Sequence, residues 1–319
     1  MHPTLAASAN YIRQTVLDKP LSFCGCKVEY SKGINGECNY RISQGGYVRK
    51  LLHDCKMEEA NPVLRPTLPG QKYSKEDEDA EIDASTYRKW AGGILWAAIT
   101  CHPQIAASAT VACRFMAKPT ANGHALMKRI LRYMAGNPDR GIVYSCRTPR
   151  IDNFEKIKIQ GFCDSDWAAN EDDARSTSGY VLMIANAVFD WMSKLQHCVA
   201  MSTAEAECYA LCSATVETES YRDMLEEIGI NAKSTPTEIR VDNKAAVLSA
   251  HNSSGKRTRH VNIRFHRVRS AIKGQRIKVI HVRGGTSADS EQLADVMTKS
   301  CNGVLFDKFD AAIRGIRDG

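Results

Sequence analysis

The run KIKIQGFCDSDW, residues 156–167, constrains this chain more than any other stretch. Ile157, Ile159 and Phe162 are set among polar residues, and the run ends in Cys163-Asp164-Ser165-Asp166. That spacing predicts a β-strand. A carboxylate at the end of a buried strand costs several kcal/mol unless a cation or a metal offsets its charge. The fold must therefore bring compensating charge to this point.

Three further acidic positions, one of them with two candidate residues, recur at the ends of predicted elements. Glu205 and Glu207 fall in the first turns of a long helix that starts after Ser202 or Thr203, either of which is a suitable N-cap. Asp242 ends the predicted strand TEIRV, and Asp295 falls near the start of the final helix, EQLADVMTKS. Singly, each has an ordinary explanation. A strand-end Asp commonly caps a turn, and a Glu in a first helical turn complements the helix dipole. Together they are more specific, because clustered carboxylates repel by several kcal/mol in a low-dielectric site unless cations lie between them. An all-oxygen cage suits Mg²⁺ or Mn²⁺, and two such ions support phosphodiester hydrolysis. Spacing leaves two choices open. Glu205 and Glu207 both align with apolar helical positions, and Asp164 and Asp166 share one strand face.

The C-terminal half reads as strand, strand, strand, helix, strand, helix, helix, strand, helix, which predicts a mixed sheet flanked by helices. TSGYVLMIA and AVFDWMSK are β-rich runs around Asn186, with HCVAMS as a further one. Further upstream, residues 20–43 predict two strands around a turn at 33–36, followed by a helix over YVRKLLHDCKM. Residues 61–85 predict a connector, with three prolines and an acidic run at 76–83. Residues 86–136 predict three helices divided by His102-Pro103 and Pro119, and GIVYS predicts a short strand. The boundary between the halves is expected within the polar segment 147–156.

Charge is uneven. Residues 239–283 hold twelve Lys and Arg against one acidic residue, Asp242, although the whole chain is only +7. A polyanionic partner is expected there. The twelve cysteines show no CxxC pair, and Cys101, Cys113 and Cys198 lie in apolar runs, which predicts reduced, buried thiols. No apolar run approaches a membrane span and no secretory signal is visible at the N-terminus, so an intracellular location, cytoplasmic or nuclear, is expected without a membrane partner.

With these residues in hand, a resemblance is visible. GFCDSDWAANEDDARSTSGYV, WMSKLQHCVAMSTAEAECYAL, VDNKAAV, RTRHVNIRFHRVR and EQLADVMTKS together resemble the ribonuclease H domain of copia-type LTR-retrotransposon Pol polyproteins. YVRKLLHDCKMEEANPVLRPTLPG, YRKWAGGILWAAITCHPQIA and ALMKRILRYMAGNPDRGIVYSC resemble the segment between the reverse-transcriptase palm and that domain. The resemblance implies an α/β fold, with a ribonuclease H-like mixed sheet flanked by helices. Before it comes a small, mostly helical, thumb/connection-like region over residues 1–150, truncated and without the palm active site; residues 151–319 form the nuclease domain. It implies Asp164, Glu207, Asp242 and Asp295 as catalytic acids holding two Mg²⁺ or Mn²⁺ ions, and so favours Asp164 over Asp166 and Glu207 over Glu205. The expected activity is hydrolysis of the RNA strand of an RNA/DNA hybrid, leaving a 5′-phosphate, with the remainder of a Pol polyprotein as a further partner. Arg257, Arg259, Arg264, Arg267 and Arg269 are the expected phosphate contacts.

Departures from the family pattern carry expectations too. No YxDD motif occurs, so no polymerase activity is expected. Asn262 stands where the family usually has Asp, and the loop Gly284–Ser290 before Asp295 is longer than usual. The alternative from another class is a non-catalytic nucleic-acid-binding remnant, which would bind hybrid in a salt-dependent way without cutting it. A junction resolvase of the same superfamily is a third reading.

Overall fold

The computed structural model describes residues 20–33, 38–146, 158–230, 235–251 and 259–316. Its first sheet is antiparallel, in the order β1 (Leu21–Phe23), β2 (Cys26–Lys32), β3 (Cys38–Ser43), β4 (Gly141–Cys146). Where two strands are expected over residues 20–43, three form. The extra reversal is the two-residue turn Cys24-Gly25, with φ of +50° and +77°. Positive φ at both central residues matches the twist of a hairpin. The expected turn at 33–36 lies mostly outside the described residues, as does the expected boundary at 147–156.

Helices α1 (Gly45–Asp54), α2 (Ala84–Thr100), α3 (Ala106–Cys113) and α4 (Ala121–Ala135) follow the expected segments. Part of the acidic run has a local role. Asp83 caps α2, its carboxylate accepting from Ser85 N and Thr86 N, both at 2.9 Å. Pro103 opens a short 3₁₀ turn ahead of α3, where its missing N–H costs nothing.

The second sheet has the order β7-β6-β5-β8-β9, with β5 at Gln160–Asp166, β6 at Thr177–Ile184, β7 at Ala187–Leu195, β8 at Thr237–Val241 and β9 at Ile277–His281. β5, β6 and β7 form an antiparallel meander, while β8 and β9 run parallel to β5. The parallel strands are joined through α5 (Thr203–Glu227) and through α6 (Lys244–His251) with α7 (Arg259–Lys273); α8 (Asp295–Thr298) and α9 (Gly303–Ile313) close the chain. This is the ribonuclease H-like α/β architecture that the resemblance implies. No described helix is long and apolar enough to cross a membrane.

HCVAMS is a loop, not a strand. The ladder between β6 and β7 stops at Thr177↔Leu195, the first residue of β6, so no backbone remains for it to pair with. Val199 and Met201 turn outward, at 48% and 81% exposed, while Ala200 stays buried. Trp167 Nε1 holds the loop by donating to Ala200 O at 3.0 Å. Cys198 in this loop is exposed, contrary to expectation, and its Sγ lies 3.0 Å from the Tyr209 hydroxyl; Cys101 is buried and Cys113 half-buried.

The second sheet separates two cores. Ile159, Cys163 and Leu182 pack under α5, α6 and α7, whereas Phe162, Val181, Met183 and Val188 pack against α2, α3, α4, α8 and α9. The latter core is continuous across both halves of the chain. Trp191 Nε1 donates to Ala98 O at 2.9 Å, Tyr144 Oη to Val188 O at 2.6 Å, and Val143 N to Arg314 O at 2.8 Å. Asp310 on α9 pairs with Arg314 at 2.8 Å and reaches Arg140 at 2.5 Å across the same seam. All three side chains are largely buried. Asp310→Ala therefore leaves two guanidinium groups uncompensated and is expected to cost about 3–5 kcal/mol, read as a lower urea midpoint.

Candidate metal centre

Parallel pairing sets the frame of the site. β5 and β8 pair with Gln160 opposite Glu238 and Phe162 opposite Arg240. Carrying that register forward brings Asp164 level with Asp242, just past the end of β8. Helix α5 packs on β5 and β6 and presents Glu207 from its second turn. Asp164, Glu207 and Asp242 each offer an oxygen, and these oxygens all lie within 4.8 Å of one another. Asp164 and Glu207 are buried and Asp242 is half-buried.

The choice that spacing leaves open at the start of α5 has a structural explanation. Ser202 Oγ accepts from Glu205 N at 3.2 Å, and Glu205 Oε2 accepts from Met201 N at 2.8 Å. Glu205 is thus the N3 residue of a capping arrangement, and Glu207, two residues on, turns to the strand ends. Glu207 Oε1 accepts from Ser165 N at 3.3 Å, while Oε2 has no hydrogen-bond partner despite being buried. Asp166 lies off the trio and lines a cavity beside it.

Asp295 approaches from the opposite side. It is the first residue of α8, which rests against Gly179, the strand partner of Asp164. A Cβ on Gly179 would lie 2.6 Å from Met297 Cβ and 2.7 Å from Thr298 Cγ2, so the bare backbone is what seats α8 here. Thr298 Oγ1 donates to Asp164 Oδ2. Gly179→Ala is expected to cost about 1–3 kcal/mol by overpacking and to displace Thr298 from Asp164; chemical denaturation of the variant checks this.

Asp295 is 1% exposed yet does not complete the trio. Lys299, one turn on, places Nζ 2.8 Å from Asp295 Oδ1 and 3.7 Å from Asp164 Oδ2. The long loop before Asp295 is pinned. Asn302 Nδ2 donates to Thr286 O at 2.9 Å, and Lys308 Nζ donates to Ala288 O at 2.9 Å and Ser290 O at 2.7 Å. Gly284 in this loop passes so close to Asp242 that a Cβ would overlap its carboxylate.

Burial and mutual repulsion dominate the electrostatics. Burial, then the charges of Asp164 and Asp242, hold the Glu207 carboxyl well above the usual range. Burial and Asp164 raise Asp242, with Lys299 pulling it back. Asp295 is pushed up to about 7 by burial and by Asp164, against the opposing pull of Lys299. Asp166 is raised to about 6, chiefly by burial. Carboxyl groups held this way favour either protons or a cation, and a hard divalent ion suits an all-carboxylate donor set. The unpartnered Glu207 Oε2 is an acceptor of the kind such an ion would use. The donors present fit Mg²⁺ or Mn²⁺.

The expected phosphate-contacting arginines divide. Arg257 and the side chain of Arg259 lie outside the described residues. Arg264 stacks on the Tyr209 ring at 3.9 Å, Arg267 pairs with Glu219 at 2.5 Å, and Arg269 donates to Ser249 O at 2.7 Å. On α7, Phe265, Val268 and Ala271 face the core, which leaves Arg267 on the solvent side. His281 Nε2 lies 3.1 Å from Asp242 O, tying the end of β9 to the acid loop.

No family model matches the chain. The Retrovirus-related Pol polyprotein from transposon RE1 of Arabidopsis thaliana is 31% identical over 273 residues, covering 85% of this chain and 18% of the relative. The corresponding polyprotein from transposon TNT 1-94 of Nicotiana tabacum is 28% identical over 265 residues, covering 81% of this chain and 19% of the relative. The chain therefore spans under a fifth of the length of these relatives. A solved LC11-RNase H1 in complex with an RNA/DNA hybrid is similar over 47% of this chain and 98% of its own, at 16% identity and a TM-score of 0.33. The chain's homologues are thus retrovirus-related Pol polyproteins from copia-type transposons, similar to it over 81–85% of its length.

Proposed function

We propose that this protein hydrolyses the RNA strand of RNA/DNA hybrids with the help of two divalent cations. The observation that carries the reading is the convergence of Asp164, Glu207 and Asp242 at the ends of two parallel strands, their oxygens within 4.8 Å. Similarity to retrovirus-related Pol polyproteins and the ribonuclease H-like strand order support it.

Asp164, Glu207 and Asp242 would hold one ion, and Asp164 with Asp295 the other. Bound divalent cations activate water and stabilise negative charge on a departing oxygen. The chain's own residues keep the site rigid. Thr298 and the backbone of Ser165 orient Asp164 and Glu207, and His281 steadies the loop of Asp242. The basic segment with Arg257, Arg259, Arg264, Arg267 and Arg269 would receive the phosphate backbone. Selection of RNA would rest on 2′-hydroxyl contacts across the minor groove. Residues 1–150 are proposed as the C-terminal part of a reverse transcriptase, without polymerase activity.

The test is cleavage of a duplex labelled on each strand by the purified protein. The expected result is shortening of the RNA strand alone, with 5′-phosphate ends, in Mg²⁺ and not in EDTA. Salt-dependent binding without cleavage would overturn it.

A further inference from the structure

Lys299 sits inside the acid cluster rather than at its rim. Its ammonium is in ion-pair range of Asp295, at 2.8 Å, and of Asp164, at 3.7 Å; their side chains are 1% and 3% exposed, while its own is 36% exposed. It thus spans from buried carboxylates to solvent. On the solvent side lies an open cavity of about 440 Å³, lined by Asp166, Arg114, Thr298 and Lys299 itself. The same cavity offers a second carboxylate, Asp166, two residues from Asp164 along β5.

The two sides of the acid cluster therefore differ. On one, three carboxylates converge with a free oxygen on Glu207. On the other, a positive charge already stands between Asp164 and Asp295, 3.7 Å from Asp164 Oδ2 and 2.8 Å from Asp295 Oδ1, although neither Asp295 oxygen takes a hydrogen bond. An ion bound between Asp164 and Asp295 would contend for the oxygens the ammonium holds, and two cations at such a separation repel strongly in a low-dielectric site. Both cannot occupy that position.

We propose that Lys299 is a built-in competitor for the second cation: it occupies the place between Asp164 and Asp295, and swings into the cavity towards Asp166 when that cation binds. This rests on reading the acid cluster as a two-cation centre. It makes the two ions unequal and ordered. The first enters at Asp164, Glu207 and Asp242 without disturbing Lys299. The second binds more weakly, because it must displace an ammonium from two buried partners.

The test uses the full chain without nucleic acid, titrated with Mn²⁺ and followed by the electron paramagnetic resonance signal of the free ion. Wild type is expected to bind one ion tightly and a second at least about tenfold more weakly, a difference of roughly 1.4 kcal/mol. Lys299→Met is expected to tighten the second ion by about tenfold and leave the first unchanged, and Lys299→Arg to preserve the inequality. A second ion bound no more tightly by Lys299→Met than by wild type overturns the competitor role while leaving the metal reading standing. Failure of wild type and variant alike to bind any Mn²⁺ overturns both. Should circular dichroism show Lys299→Met unfolded, Asp166→Asn decides the matter. It removes the place to which the ammonium retreats, and is expected to weaken only the second ion. An unchanged second affinity in Asp166→Asn overturns the proposal.

Discussion

Asp242→Asn is expected to reduce cleavage of the RNA strand by about 10²-fold or more, the scale of losing one preorganised charge-stabilising group. The substitution keeps the shape of the side chain and removes its charge. Asp242 is only half-buried, so its replacement disturbs little packing. The variant should fold, because burial and the neighbouring Asp164 already disfavour the charge that is removed. A cleavage assay and a thermal melt of the same preparation separate the two effects. Lost cleavage at an unchanged or raised melting midpoint is the expected pair. Cleavage at the wild-type rate would remove Asp242 from the chemistry.

The second large effect concerns the first half of the chain. A version beginning at residue 158 is expected to lose cooperative unfolding and to bind an apolar dye, as a loosely packed chain does. The reason is that α8 and α9 cover this face of the second sheet only in part, and α2, α3 and α4 complete the cover along β6 and β7. Phe162, Val181, Met183 and Val188 share a core with Ile94 of α2, Ile105 of the turn before α3, Ala109 of α3 and Met127 of α4. Removing those helices exposes a contiguous apolar face, and each large side chain left in water forfeits about 1.5–3 kcal/mol. A sharp transition at the midpoint of the full chain would show that the sheet stands alone. The sequence suggests two independent halves because each segment is periodic by itself. Periodicity reports which face of a helix is apolar, but not which element covers it.

Much of the site was legible for the same local reason. An alternating run that ends in Asp164, and a second strand that ends in Asp242, become neighbours once the two strands pair in parallel. Helical spacing alone did not separate Glu205 from Glu207. The signal that could have done so was Ser202-x-x-Glu205, a capping pattern that accounts for Glu205 and frees Glu207 for the strand ends. The expected strand at HCVAMS failed because β propensity says nothing about whether a partner backbone exists. Gly179 and Gly284 were not singled out, since the need for a missing side chain arises only from what packs against it. Lys299 was also missed, although its position four residues after Asp295 is the helical spacing at which opposite charges meet. The longer loop before Asp295 is held at its carbonyls by Asn302 and by Lys308 of α9, while Asp295 stays outside the trio.

The centre of this account is a divalent ion held jointly by Asp164, Glu207 and Asp242, and the most direct measurement is a crystal of the full chain soaked in Mn²⁺ and recorded for anomalous scattering. The expected result is a peak between these three carboxylates at oxygen–metal distances of about 2.0–2.2 Å. A map with no peak there, the carboxylates remaining apart or protonated against one another, would contradict it.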